Sequence, residues 1–562
     1  MFAKNNLPPI ELDDLDMPNY LKENLRDSWA HPFQKHIFPA INEERFSVLY
    51  SDDYASRPNT PINFIISLLI IKELFDQTDE EVIASLHFDD RYQYALRTIN
   101  FEKQAVSINT LTNFRKRVYE YYKETGIDLI QIEVQSLSRK IADYLDIDDK
   151  QARMDSFMID SYCANLSRIE LVYKVNDDFI KLLNQVAPEN IPEKCAGYLK
   201  SGHKKETIYK PRDEEKESKL EFLLHQSQLL YEVGLDIGKE ITGTEEFKLL
   251  ARILDEQIDD NDDSGFPIPK DNKDISSESL QNPSDPDATY RYKYGDNIGY
   301  TVNVFEQFDE ENGVILHYDL EANTYDDSEF SKDLIEKLPE QQNIFSLLVD
   351  GGYYSYEIGQ KAQKKNINLV PSGLKGRKPA EDKMSYTNFK IDEDKNVIIN
   401  CVEDKTPVSS HYDEEASTYT AKFSKDDCDS CPVSSICRIV KQKKANTIRF
   451  TDKDYQIASL REVMETDEYQ ELANKRAGVE GIPSTFRRKY NIDEIPVRGK
   501  LWVKIWLGFK VAAYNFKKLL KGLEDKAVSA ISNLFFFIIS ILNLYNNKID
   551  LNTKLKKKVS CR

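Results

Sequence analysis

Three acidic residues stand where they could do chemistry. Asp350 closes a short apolar run in "LLVDGGYYS", Leu347 to Ser355, and Asp155 lies inside "RMDSFMID", Arg153 to Asp160. Both runs read as strands, so each carboxylate would be carried on rigid scaffold. Glu480 lies in "NKRAGVEGIPSTFRRKYN", four residues after Arg476 and seven before Arg487. On a helix Arg476 and Glu480 share a face, and Arg487 extends that stripe by two turns. Gly481 and Pro483 interrupt it and predict a kink or a fresh helix start. Carboxylates from separate elements are the hard oxygen ligands that Mg²⁺ or Mn²⁺ takes. Two such ions roughly 4 Å apart can hold the attacking and leaving oxygens of an in-line phosphoryl displacement. Metal charge relieves the mutual repulsion of acids forced together. Taken singly, each residue has a plainer reading: Asp-Gly is a common turn, and Arg476 with Glu480 is an ordinary surface pair.

A second cluster is "CDSCPVSSIC", which sets Cys428, Cys431 and Cys437 in a C-x2-C-x5-C pattern. Three thiolates this close favour tetrahedral Zn²⁺. A zinc-ribbon-like knob would stabilise a long excursion of low apolar content. The plainer reading is three reduced cysteines near a turn. His411, in a polar acidic loop, is one candidate for a fourth ligand. Cys163, Cys195 and Cys561 are isolated, and seven cysteines in all, an odd number, suit a reducing compartment rather than a disulfide framework.

The elements that must position these residues are spread over 562 residues, enough for two to four domains. Residues 1–55 form a lead-in, polar and acidic at the start rather than basic then apolar, so no secretory signal is expected. Residues 56–140 read as a helical domain: a buried helix in "INFIISLLIIKELF", another opened by a Thr78–Glu81 capping box, and more up to Gly126. Short helices with tight connections, the last exposing Arg115, Lys116 and Arg117, suit a helix-turn-helix-type DNA-binding domain. A plain helical domain with a solvated basic face is the alternative. Residues 150–175 and 285–375 supply strands, among them a hairpin across "DEENG". Between them, 176–284 reads as a helical insertion followed by an acidic linker. Residues 376–460 form the insertion with the cysteine cluster, and 461–525 return to the core with the third acid.

Mean hydropathy is −0.57 and the formal charge −20, which by itself argues against a polyanion-binding protein. The distribution reverses that view: from Arg487 onward 17 Lys and Arg stand against 5 Asp and Glu, a net +12. In "RGKLWVKIWLGFKVAAYNFKKLLKG" the aromatics fall at helical spacing and read as core. Lys504, Lys517, Lys518 and Lys521 are then left for solvent or phosphates. Residues 526–562 comprise an apolar helix and a basic tail. The apolar stretch, Ala527 to Tyr545, holds Ser529, Ser532, Asn533, Ser540 and Asn543, and is expected to pack on a core rather than to cross a membrane.

Taken together, these residues resemble the DDE transposases of bacterial insertion sequences. The similar branch has a third motif reading Tyr, two residues, Arg, three, Glu, six, Lys. Here Arg476, Glu480 and Arg487 keep the spacing, with Arg for the final Lys and Ala473 at the Tyr position. Asp155-Ser156 matches the first motif. Asp350 with Gly352-Tyr353 matches the second, with one extra glycine. The helical region around "RPNTPINFIISLLIIKELFDQTDEEVIASLHFDDRYQYAL" and "LTNFRKRV" also looks like that family's amino-terminal domain. The resemblance runs from about residue 40 to about 525, leaving out 180–280.

It implies an α/β chain with a ribonuclease-H-like core: a mixed sheet flanked by helices, an N-terminal all-α domain and inserted segments. Asp155, Asp350 and Glu480 would bind Mg²⁺ or Mn²⁺ for strand cleavage and transfer, and Arg476 and Arg487 would contact DNA. Cys401 would complete the zinc ligands, since family members often carry a cysteine there. The implied partner is double-stranded DNA, element ends and target, bound by a homodimer in the cytoplasm at the nucleoid. The alternatives are a ribonuclease-H-like nuclease or a domesticated DNA-binding descendant, and a non-enzymatic zinc- and DNA-binding protein.

Overall fold

The computed structural model describes residues 1–51, 58–98, 106–148, 150–209, 216–261, 265–293, 295–339, 345–376, 380, 382–392, 394–443, 445–526 and 528. The apolar stretch and basic tail expected beyond 526 lie outside the described residues, apart from Val528. The chain divides into two compact units. The first comprises 1–148, 156–324 and 483–562, and the second 149–155 and 325–482.

The first unit opens with short helical turns that bury Phe33, Phe38 and Phe46. Helix Ile62–Leu74 is apolar nearly all round, and every one of its residues is buried. Helix Asp79–Phe88 starts at the expected capping box, the Thr78 hydroxyl accepting from Glu81 N–H and the Glu81 carboxylate from Thr78 N–H. Helix Ile108–Thr125 stops at Gly126, whose φ of 71° only a residue without Cβ adopts cheaply. Helix Leu129–Leu145 follows.

Helices Arg168–Val186, Lys216–Ile237 and Glu245–Gln257 surround a core of their own, including Phe179, Leu223, Leu230, Phe247 and Leu250. The acidic stretch after them, expected to be a loose linker, is built into the structure. It contributes a hairpin of Ile258–Asn261 with Pro267–Pro269 and buries Leu280, Asn282 and Asp285. Its polar side chains satisfy buried donors and acceptors. Asp285 accepts from the Ser161 hydroxyl, from Tyr300 OH at 2.5 Å and from Gly499 N–H at 3.1 Å, while Asn282 donates to the Ala164 carbonyl at 2.8 Å.

The main sheet has six strands: β1 Gln151–Asp160, β2 Thr289–Tyr292, β3 Asp296–Phe308, β4 Gly313–Ala322, β5 Phe345–Val349 and β6 Ile367–Pro371. Their order is β2-β3-β1-β5-β6, with β4 also on β3. β3 and β4 form the expected antiparallel hairpin, whereas β1, β5 and β6 run parallel. The sheet is therefore mixed, with helices flanking it. Within the second unit, helix Asp467–Asn474 anchors through Tyr469, whose hydroxyl donates to the Pro371 carbonyl at 2.8 Å.

The second unit also holds the cysteine-bearing insertion. Lys390–Asp392 pairs with Val397–Asn400, and a three-stranded sheet joins Ser409–Asp413, Thr418–Phe423 and Asn446–Thr451. Low apolar content is not borne out, because Phe389, Ile398, Tyr419, Phe423, Ile448 and Phe450 make a buried cluster there. The strands' alternation gathers scattered aromatics onto one face.

Candidate active site

All three acids fall in the second unit. On β1, Ala152 and Met154 are buried, while Arg153 and Asp155 alternate with them onto the other, partly open face. β1 and β5 pair in parallel with Gln151, Ala152 and Arg153 opposite Ser346, Leu347 and Leu348. Carried two residues further, that register sets Asp155 beside Asp350. Neighbouring strands lie about 4.8 Å apart, so Asp155 and Asp350 follow the paired stretch at corresponding positions on adjacent strands.

Asp350 sits just past the end of β5. Its carboxylate accepts from the Ser372 hydroxyl at 3.2 Å, and its carbonyl from Tyr353 N–H at 3.0 Å. The double glycine after it serves close packing. A Cβ on Gly351 would lie 2.9 Å from the Gly373 backbone in the loop after β6, and one on Gly352 would lie 3.0 Å from the Asp327 carboxylate.

Glu480 arrives differently from the helical stripe expected of it. Helix Asp467–Asn474 ends, a 3₁₀ stretch runs over Lys475–Glu480, and a new helix, Gly481–Tyr490, starts beyond it. Pro483 falls in the first turn of that new helix, where its missing N–H costs nothing. Glu480 is the last 3₁₀ residue, and its side chain is 58% exposed. Arg476 ties it to the strand: its guanidinium lies 2.5 Å from the Glu480 carboxylate and 4.0 Å from that of Asp155. One cation thus reaches two of the acids, and the third, Asp350, follows the strand that pairs with β1. Among the described residues no group of three or more His, Cys, Asp or Glu is gathered closely enough to hold a metal as it stands. The donor set is nonetheless right for a hard divalent cation, and Arg476 balances part of the negative charge.

Two family models match the sequence. The first, described as a transposase DDE domain, covers residues 400–520, and the second, a transposase domain of the type termed DUF772, covers 23–117. Both matched domains are transposase domains, and together they support a DDE transposase of insertion sequences. No curated protein and no solved structure matches it. The first match takes in Glu480 and both its arginines, and the second covers the N-terminal helices through Arg117.

The basic residues of the chain are placed unevenly. Arg487 donates to the Met158 carbonyl at 2.8 Å and pairs with Asp493 at 3.2 Å. It does not continue a stripe with Glu480, because the chain changes helical type between them. Arg115, expected to be exposed, forks onto Asp79 with its side chain 25% exposed, and Arg117 lies over the Tyr50 ring at 4.7 Å. Lys504, expected to face solvent or phosphate, is buried. Its ammonium lies 3.5 Å from the Asp319 carboxylate and over the Tyr122 ring. Burial alone would lower its pKa, but Asp319, Tyr122 and Asp128 hold it above the ordinary lysine value. The helix over 500–526 turns that residue inward along with Val503 and Leu507, a choice that a row of lysines in sequence does not reveal. Lys517 is exposed, and Lys518 lies over the Tyr514 ring at 5.3 Å.

The four cysteines of the insertion share a cavity but are not gathered closely enough to hold a metal as they stand. Cys401, Cys428, Cys431 and Cys437 line one cavity of about 30 Å³, and all four are free thiols. Burial raises the pKa of Cys428 and Cys437, and the neighbouring sulfurs add to it. His411, on the strand Ser409–Asp413, is not among the cavity's lining residues. Among the described residues no helix is long and apolar enough to cross a membrane.

Sequence reasoning missed Arg153 and Ser372. Ser372 could have been noticed as the polar residue directly after the strand neighbouring Asp350. Arg153 gave no signal beyond its place two residues before Asp155.

Proposed function

We propose that Asp155, Asp350 and Glu480 are the metal-binding acids of this transposase, within a ribonuclease-H-like core. They would serve strand cleavage at the ends of an insertion sequence and transfer of the freed 3′-hydroxyl to target DNA. The observation that carries the reading is the β1–β5 register, which if continued two residues would set Asp155 opposite Asp350, together with the Arg476 guanidinium near both Asp155 and Glu480. Mg²⁺ or Mn²⁺ held there would stabilise charge on the reacting phosphate oxygens. The chain's own part is to fix two carboxylates on adjacent parallel strands. It presents the third from an open 3₁₀ end, where DNA can approach. Arg476, a planar fork held beside the acids, is suited to receive a phosphate oxygen once metal charge replaces its own on the carboxylates. The branch with the Tyr-x2-Arg-x3-Glu-x6-Lys motif is supported by the spacing of Arg476, Glu480 and Arg487.

Duplex DNA would be held by Arg487, Arg115, Arg117, Lys517 and Lys518, and two chains would pair two element ends as a homodimer. One Zn²⁺ would be bound by Cys401, Cys428, Cys431 and Cys437, a donor set of four free thiols around one small cavity. Its role is structural, bracing the loops against the insertion's aromatic core.

The test is cleavage of a duplex carrying the element's end, in Mg²⁺, by Asp155→Ala, Asp350→Ala and Glu480→Ala variants. Each should lose cleavage and keep folding and DNA binding. Full cleavage by Asp350→Ala sinks the assignment. Nicking with no strand transfer by the unaltered chain would favour the nuclease reading.

A further inference from the structure

The 3₁₀ stretch that carries Glu480 buries a single side chain, Val479. It lacks the i→i+4 ladder of an α-helix, and its acid must sit near two others that repel it. The structure supplies an anchor from β1. The Arg153 guanidinium donates to the Lys475 carbonyl at 2.8 Å, at the first residue of the stretch. The same guanidinium fills the space beside Gly478, where any Cβ would overlap it. Arg153 and Asp155 occupy one face of β1, two residues apart. The strand that presents the first acid therefore grips the segment that presents the third.

We propose that Arg153, seated in the slot left by Gly478, is the positioning residue that sets Glu480 against Asp155. This rests on the three acids being the metal ligands. Arg476 joins the acids through side chains, and Arg153 fixes the backbone beneath them. Gly478 belongs to the device because its missing Cβ is what the guanidinium occupies. A lysine at 153 would keep the charge but lose the planar fork that lies flat in the slot.

The experiment uses the full-length chain with Arg153→Ala, Arg153→Lys, Gly478→Ala and the double variant Arg153→Ala/Gly478→Ala. Mn²⁺ binding is measured without DNA by the loss of free-ion paramagnetic signal, and end-DNA affinity by fluorescence anisotropy. Residues that orient metal ligands typically change metal affinity by about 10- to 100-fold. Arg153→Ala and Gly478→Ala should each weaken Mn²⁺ binding by at least tenfold and leave end-DNA affinity and urea midpoint unchanged. Arg153→Lys should restore only part of the loss. The double variant should be no worse than Arg153→Ala, because removing the guanidinium empties the slot a new methyl would enter. Wild-type Mn²⁺ affinity in Gly478→Ala, or additive losses in the double variant, overturns the proposal. Glu480→Ala is run alongside. If it binds Mn²⁺ normally, the three-acid reading itself fails; if it loses binding while Arg153→Ala and Gly478→Ala do not, only the positioning role fails.

Discussion

Lys504→Met separates a phosphate contact from a buried ion pair. The ammonium and the Asp319 carboxylate stand 3.5 Å apart with side chains 11% and 13% exposed. Methionine keeps the apolar stem and removes only the charge and its donors. Cutting one partner from a buried pair costs about 3–5 kcal/mol, because the other charge stays buried. Asp319 keeps His317, whose Nε2 lies 2.7 Å from it, so the lower end applies, about 3 kcal/mol. Asp128, buried nearby with one carboxylate oxygen lacking a hydrogen-bond partner, loses a stabilising cation as well. The chain's three tryptophans, Trp29, Trp502 and Trp506, all belong to the first unit, so their fluorescence during urea unfolding reports that unit alone. With an m-value of about 3 kcal/mol/M, the midpoint should fall by about 1 M. The slope of log affinity for end DNA against log salt should stay as in the unaltered chain. An unchanged midpoint with a shallower salt slope would refute the burial argument and restore Lys504 to the DNA-binding face.

Lys517→Gln should do the reverse, lowering the salt slope by about 0.9 for one lost phosphate contact and moving stability by no more than about 0.5 kcal/mol. Elemental analysis of the purified chain should find one zinc per chain, lost in Cys428→Ser or Cys431→Ser; a metal-free preparation removes the zinc site. Burial, with Lys219 nearby, lowers the His203 pKa below its ordinary 6.5, and Tyr173 OH lies 3.0 Å from its Nδ1. As pH falls below about 6.5 the unfolded chain takes the proton first, so stability present above that pH is lost on acidification. His31 and His36, also lowered by burial, share the sign. Melting temperatures from pH 8 to 5.5 should fall less steeply for His203→Gln, and identical slopes would contradict this.

Much was legible because it is local. The capping box at Thr78, the stop at Gly126, the β3–β4 hairpin and the run of apolar residues before Asp350 each follow from a few adjacent residues whose backbone preferences agree. The break after Glu480 was foreshadowed by Pro483 and Gly481, although the 3₁₀ form of Lys475–Glu480 was not.

What the sequence could not decide was which side chain meets which. Lys504 and Lys517 are alike in sequence, and one is buried on Asp319 while the other is exposed; the rotation of a long helix against its neighbours makes that choice. The polar stretch through Asn282 and Asp285 reads as linker, because nothing local shows that Ser161, Tyr300 and Gly499 will need its acceptors. Asp155 and Asp350, 195 residues apart, stand on or just past strands that pair in parallel, and such a pairing has no turn between its strands to encode it. Residue types and spacing thus determined that three acids and three thiols were worth watching, and the family resemblance added Cys401. Tertiary structure decided that Arg476 would stand between two of those acids and that Arg153 would fill the space a glycine leaves open.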